Sequence, residues 1–376
     1  MSTRIYLDWN ASAPPLQAAL AAMSDAAREA WGNPASVHAH GRAARARVED
    51  ARAAVAELAG ADPRDVVLTS GGTEANNIAV RSAFVGKSAA EGAVLVTSRL
   101  EHPSVTRVAE ALEREGTARV RWVAIRTDGQ IDLADLERAL DEGGVVLVAL
   151  QAVSSETGVI SPVGRIVELS RARGARVHVD AVQAWGKIEE AFAGSDTQSL
   201  AAHKFRGPKG IGALISRPGL RLHPVLLGGG QERGLRPGTV DPIAASGLAA
   251  AARHAMSGPA RYRELASRRD RLQEALVGLG GLVNGEGATR APHVANVAWP
   301  GWRGPELVAA LDLAGISVSS GTACSAGTNE PSPALCAMVG EARAGASVRV
   351  SLGETTTGED IDLAVAAFAR VVARAP

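Results

Sequence analysis

Short apolar runs, rich in β-branched residues, recur along the first two thirds of the chain at 66–69, 94–97, 120–125, 145–150, 177–179 and 211–215. They lack the strict alternation of a strand with one wet face, so they predict strands buried on both sides. Between them lie stretches at 41–59, 104–115 and 133–140 whose apolar residues recur every three or four positions, the spacing of one helix face. Strand and helix in alternation predict an α/β fold, a mainly parallel sheet with helices on both faces.

The pattern changes after about residue 250. The charged stretch 261–276 predicts a long surface helix leading away from the sheet. Beyond it come a strand at 295–299, a helix at 305–313, the small-residue segment 315–327, a strand at 347–351 and a terminal helix from Glu359, the makings of a smaller α+β domain. The expected division is a large domain over 15–255 and a small domain formed by 1–14 and 256–376. A length of 376 residues suits two domains, and no internal repeat or low-complexity linker interrupts it.

Charge narrows the function. Basic and acidic residues balance at 40 each, so no global field favours nucleic acid or an anionic membrane, and neither partner is expected. The two cysteines, Cys324 and Cys336, match no C-x-x-C signature and exclude a disulfide framework. Neither a leader-like start nor a run of 18 apolar residues is present, which makes the cytoplasm the expected location.

Several segments carry candidate chemistry. Lys204 follows an apolar strand and precedes a glycine-rich turn, where desolvation would free its amine to bond a carbonyl cofactor; a surface loop lysine is the alternative. Asp180 ends an apolar run at the edge where open α/β sheets bind ligands, so its carboxylate can keep a pyridine nitrogen protonated, or simply cap the next helix. Gly71-Gly72-Thr73 forms a strand-to-helix turn whose N–H groups suit a phosphate, yet it matches neither the dinucleotide nor the P-loop motif. His102, after another strand, can stack on a cofactor ring and shuttle protons, or stand in solvent before a helix. Cys324 sits among small residues, as a mobile nucleophile would, whereas Cys336, in Ala-Leu-Cys-Ala-Met, reads as structural.

Together these segments resemble the class V aminotransferase family, and within it the cysteine desulfurases with a long active-site cysteine loop. The resemblance runs from Tyr6-Leu7-Asp8-Trp9-Asn10-Ala11 through Gly32-Asn33-Pro34, Gly71-Gly72-Thr73, Glu101-His102-Pro103, Glu156-Thr157-Gly158, Asp180 to Gln183 and His203-Lys204. It continues through Gly228 to Thr239, Ser319 to Cys324 and Ser347 to Gly353. It implies the type I fold of pyridoxal-phosphate (PLP) enzymes and a homodimer. Lys204 would carry the cofactor, Asp180 pair with its pyridine nitrogen, Gln183 bond its ring oxygen, and His102 stack and move protons. Gly72, Thr73 and His203 would hold the phosphate, with Thr239 reaching the phosphate of the neighbouring subunit. Arg349 would clasp the carboxylate of L-cysteine. Cys324 would take the sulfur, leave alanine, and pass its persulfide to an acceptor protein such as an iron-sulfur scaffold.

Three positions depart from the family pattern. Ser154-Ser155 replaces two asparagines, of which the second normally contacts the cofactor hydroxyl, so Ser155 inherits a cofactor and substrate position with a shorter arm. Ala201 replaces a phosphate-binding serine, and Glu354 an arginine. The alternatives are therefore a selenocysteine lyase or small-amino-acid aminotransferase of the same fold, or a scaffold that has lost catalysis and keeps a sulfur-carrier or partner-binding surface.

Overall fold

The computed structural model describes residues 4–189, 192, 194–321 and 330–374. Its strands are β1 (Ile5–Tyr6), β2 (Val66–Thr69), β3 (Val94–Ser98), β4 (Arg119–Val123), β5 (Val145–Gln151), β6 (Arg176–Asp180), β7 (Thr197–Ala201), β8 (Gly212–Ser216), β9 (Leu282–Val283), β10 (Val294–Ala298), β11 (Ile316–Ser317) and β12 (Ser347–Ser351). Seven of them form the main sheet in the order β2-β8-β7-β6-β5-β3-β4. All neighbours in it are parallel except β8, which runs against both β2 and β7. The apolar runs of the sequence become these strands because helices cover both faces. Helices Gln17–Glu29, Ala39–Ala59 and Pro242–Ala255 pack together over one side, and Gly72–Ala83 packs with Pro103–Arg114 on the other. Val66, Val96, Val148 and Val177 are accordingly almost without exposure.

The parallel strands β3, β5, β6 and β7 end along one edge at Ser98, Gln151, Asp180 and Ala201. That common carboxyl edge is where an open α/β sheet leaves room for a ligand, since the next segments must turn outward to reach their helices. Glu101-His102, Ser154-Ser155, Gln183 and His203-Lys204 all lie in the first turns beyond it.

Residues 261–276 differ from expectation. In place of one long surface helix they form parts of two, Gly258–Arg263 and Leu265–Gly278, meeting at Glu264. Tyr262, Leu265, Leu272 and Leu276 are buried in a second apolar core with Val297, Trp299, Val348 and Phe368. Among so many arginines this stripe is thin, yet its spacing of three, seven and four residues is helical and gives one face a core to join.

A three-stranded antiparallel sheet, β12-β10-β9, supports that second core, and β1 pairs in parallel with β11, Ile5 opposite Ile316. Ile5 and Leu7 are buried in this same core. The chain then bridges Asp8 to Ser351 and crosses to the main sheet edge. Trp9, 1% exposed, lies directly beneath Gly353, where any Cβ would overlap the indole ring. No helix among the described residues is long and apolar enough to cross a membrane.

Candidate active site

A cavity of about 230 Å³ opens at the carboxyl edge of the main sheet, lined among others by Gly72, Thr73, His102, Asp180, Gln183 and Lys204. Ser155, His203 and Arg349 line it too. Ten of the candidate residues can be compared with it, and nine meet there. Cys324 falls outside the described residues.

Lys204 sits in the tight turn Ala202–Phe205 that follows β7. The turn ends on Arg206 at φ +70°, a strained conformation for a residue with a side chain. Arg206 is held there by Nη1 donating to Glu354 Oε2 at 2.8 Å and Nε donating to Pro14 O at 3.2 Å. The N-terminal segment crosses over the turn, Ala13 N–H donating to His203 O at 2.9 Å, which puts two carbonyls above the lysine. Lys204 Nζ donates to Asn10 O at 2.7 Å and Ala11 O at 3.1 Å. The turn thus fixes an amine at the cavity wall, half-buried, and the surface-loop alternative does not describe it.

Asp180 both caps and faces the cavity. Its Oδ1 accepts from Val182 N at 3.1 Å and Ser199 Oγ at 3.3 Å, and its Oδ2 from Asn76 Nδ2 at 2.8 Å. A carboxylate has about four acceptor positions, so this set leaves one for a protonated ring nitrogen. Behind it, His178 Nε2 donates to Asn76 Oδ1 at 2.9 Å and Thr197 Oγ1 donates to His178 Nδ1 at 2.9 Å. Burial pushes the His178 pKa down to about 4, which keeps this relay neutral.

His102 is the N-cap of the helix Pro103–Arg114. Its Nδ1 accepts from Ser104 N at 3.1 Å and pairs with Ser104 Oγ at 2.8 Å, so the ring's proton belongs on Nε2. Burial lowers its pKa below the usual histidine value, opposed by the Asp180 charge. Ser104 Oγ in turn accepts from Asn76 Nδ2 at 2.8 Å. One buried carboxamide therefore connects the Asp180 carboxylate to the His102 ring. Nothing in the local sequence around Asn76 announced that role; its position on the inward face of the helix Gly72–Ala83 is the one signal available.

The same helix begins at Gly72 with no side chain capping its first N–H groups. Gly72 and Thr73 bring these donors to the cavity rim, and the helix dipole adds a positive end, a site suited to an anion. His203 stands beside it, its pKa pushed down to about 4 by burial and by the Lys204 charge, and its Nδ1 is 3.3 Å from Ser12 Oγ. Ala201 lines the wall here and offers only a methyl group.

Arg349 closes the opposite side. It is 2% exposed, donates from Nη1 to Ser155 O at 2.9 Å and from Nη2 to Asp8 Oδ1 at 2.6 Å, and its Nε has no partner among the described residues. An unpaired buried donor in a cavity wall is costly unless something binds it. Ser155 contributes its carbonyl here, while Ser154 Oγ accepts from Glu156 N at 3.3 Å and Thr157 N at 3.2 Å and so closes the turn. That turn passes through Gly158 at φ +74°, where a Cβ would lie 2.7 Å from Val294 Cβ.

Thr239 is the exception. It is exposed and lines a separate cavity of about 500 Å³ with Arg45, Arg52 and Glu232. Cys336, expected to be structural, is only half-buried on the helix Pro333–Val339, and what burial it has raises its pKa.

The arrangement brings to one cavity an amine, a carboxylate, an imidazole, an anion site at a helix end and a buried guanidinium. A family model described as aminotransferase class V matches residues 5–364. The chain belongs to that family. A protein of Cereibacter sphaeroides named cysteine desulfurase is 40% identical over 365 residues, covering 96% of this chain and 93% of the relative. An IscS-like cysteine desulfurase of Mycobacterium tuberculosis is 38% identical, with 98% and 96% covered. Among solved structures, one titled NifS-like protein superposes with a TM-score of 0.90 at 31% identity, covering 99% of this chain and all of the other. Another, SspA in complex with cysteine, gives a TM-score of 0.81 at 28% identity over 94% of this chain and all of the other.

Proposed function

We propose that this class V chain is a PLP-dependent cysteine desulfurase, which converts L-cysteine to L-alanine and leaves the sulfur as a persulfide on Cys324. The observation that carries the reading is the meeting of Lys204, Asp180 and His102 in one cavity with Arg349 across it. The relatives named cysteine desulfurase, alike over nearly the whole chain, support the same activity.

PLP fits the donors present. Lys204 would carry it, the open acceptor position of Asp180 would receive the pyridine N–H, and Gln183 Nε2 would address the ring oxygen. The uncapped N–H groups at Gly72 and Thr73, with His203, take the phosphate, and the loss of a hydroxyl at Ala201 weakens this end without removing it. When bound, PLP supplies an electron sink for the charge left as a proton departs from Cα. Arg349 would hold the substrate carboxylate through its planar fork. The Lys204 amine and His102 Nε2 move protons at Cα and the cavity face. The Cys324 thiolate attacks the substrate sulfur; an S–S bond forms, the C–S bond breaks with its pair staying on carbon, and protonation there gives alanine.

Thr239 acts in this scheme on a second copy of the chain, in a homodimer, and the persulfide goes to an acceptor protein. The working division is a large cofactor domain over 15–255 and a small domain from 1–14 and 256–376. Incubation of the PLP-loaded protein with L-cysteine should yield alanine by chromatography, and Cys324→Ala should keep its visible absorbance while losing sulfide release. A coloured wild-type protein that forms no alanine would refute the activity. A protein that stays colourless after soaking in PLP would instead favour the catalytically silent scaffold.

A further inference from the structure

Asn10 lies on the N-terminal segment between the two cores, 1% exposed, and all its polar atoms are engaged. Its carbonyl accepts from Lys204 Nζ at 2.7 Å and Gln183 Nε2 at 3.0 Å, two residues of the cofactor end. Its carboxamide looks the other way. Nδ2 donates to Ser155 O at 3.1 Å, the same carbonyl that receives Arg349 Nη1 at 2.9 Å. Oδ1 accepts from His293 Nε2 at 2.9 Å and, more loosely, Lys187 Nζ at 3.5 Å, while the backbone N–H donates to Ser351 Oγ at 3.0 Å.

Lys187 extends the arrangement. It is 1% exposed, and its shorter contact is Nζ donating to Gln183 Oε1 at 2.9 Å. That bond settles which way the Gln183 amide points: Oε1 is turned to the lysine, and Nε2, with one hydrogen on Asn10 O, has its other hydrogen for the cavity. Burial holds the Lys187 pKa well below the ordinary lysine value, so the amine stands there as a hydrogen-bonding group. A loop tie of purely structural kind would have no reason to engage Lys204, Gln183 and Ser155 together, and all three, like Asn10 itself, line the cavity.

We propose that Asn10 is a positioning residue that couples the two ends of the cavity. Its carbonyl sets the Lys204 amine and the Gln183 amide at the cofactor end, its carboxamide sets the Ser155–Arg349 corner at the substrate-carboxylate end, and Lys187 braces the link. The inference rests on the PLP reading for the identity of the two ligands. Its consequence is that one side-chain change acts on both. Asn10→Ala leaves His293 Nε2 with no acceptor, removes the looser contact of Lys187 and takes the donor from the Ser155 carbonyl, so PLP affinity and L-cysteine KM should each worsen by about tenfold. Asn10→Asp still accepts from His293 and Lys187 but offers no donor to Ser155 O. It should keep PLP affinity within about threefold of wild type while KM for L-cysteine rises about tenfold.

The test is a PLP titration of cofactor-free wild type, Asn10→Ala and Asn10→Asp, followed by visible absorbance, with KM, kcat and thermal midpoints measured alongside. Joint weakening in Asn10→Ala and a split between the two parameters in Asn10→Asp support the proposal. Unchanged PLP affinity and KM in Asn10→Ala overturn it. So does an equal loss of both in the two variants that tracks their thermal midpoints, which is the signature of a structural role. A wild-type protein that does not bind PLP refutes the functional reading and takes this inference with it, whereas normal wild-type binding with unaffected variants refutes Asn10 alone.

Discussion

Replacing Asn76 by alanine removes the carboxamide that connects Asp180, Ser104 and His178. Three bonds disappear, to Asp180 Oδ2 at 2.8 Å, Ser104 Oγ at 2.8 Å and His178 Nε2 at 2.9 Å. His178, with no exposure and away from the cavity, has no ready replacement for the lost acceptor, whereas Asp180 and Ser104, at 7% and 6% exposure, border the cavity. The bond to a carboxylate contributes about 1.5–3 kcal/mol, and the orphaned His178 N–H costs about 1–3 kcal/mol more. The expected loss is therefore about 3–6 kcal/mol, read as a shift of the guanidinium midpoint in the cofactor-free protein at unchanged slope. Asn76→Asp is the informative partner. Its carboxylate still accepts from His178 but confronts the Asp180 carboxylate, so it should be tolerated better at pH 5 than at pH 8. An Asn76→Ala protein within about 1 kcal/mol of wild type would show that the relay behind Asp180 does not hold the site together.

Two further outcomes are expected. Burial pushes the Glu101 pKa up to about 8, and its Oε2 has no partner among the described residues, while Oε1 accepts from Ser98 Oγ at 2.7 Å. A carboxyl raised on folding binds more protons folded than unfolded. Its stability is fully present below about pH 4.5 and lost as pH rises through 8. Glu101→Gln should therefore gain on wild type between pH 5 and 8, by about 3–4 kcal/mol in denaturant unfolding, and a pH-independent difference would contradict the burial argument. Glu232, 8% exposed, grips Arg52 with two bonds of 2.7 Å and accepts from Leu68 N at 2.8 Å. Glu232→Ala leaves the buried Arg52 guanidinium with only Val66 O and the exposed Glu49 carboxylate, and should cost about 1.5–3 kcal/mol, whereas a loss under about 1 kcal/mol in thermal or denaturant unfolding would show the pair to be solvent-screened.

The main sheet was legible because most of its strands are buried on both faces and therefore continuously apolar; β2 matches the expected 66–69 residue for residue, as β12 of the smaller sheet matches 347–351. The two-residue strands β1, β9 and β11 carry no such signal, since two residues cannot display a period. Residues 261–276 misled for the opposite reason: arginines stand out in the composition, and a stripe of four buried apolar residues decides the packing. In the site, Lys204, Asp180 and His102 were readable because each follows a strand at the same sheet edge. Asn10, Asn76 and Lys187 were not, because their chemistry arises only when segments up to 283 residues apart meet, as Asn10 and His293 do. Thr239 lies in a different cavity from the residues it was grouped with.

The most direct test of the account is chemical marking of the cofactor amine. The PLP-loaded protein is reduced with borohydride, digested, and its peptides are mapped by mass. The pyridoxyl mass is expected on Lys204 and should disappear in Lys204→Ala. A label on Lys187 or Lys209 in the wild-type protein, or none at all, would contradict it.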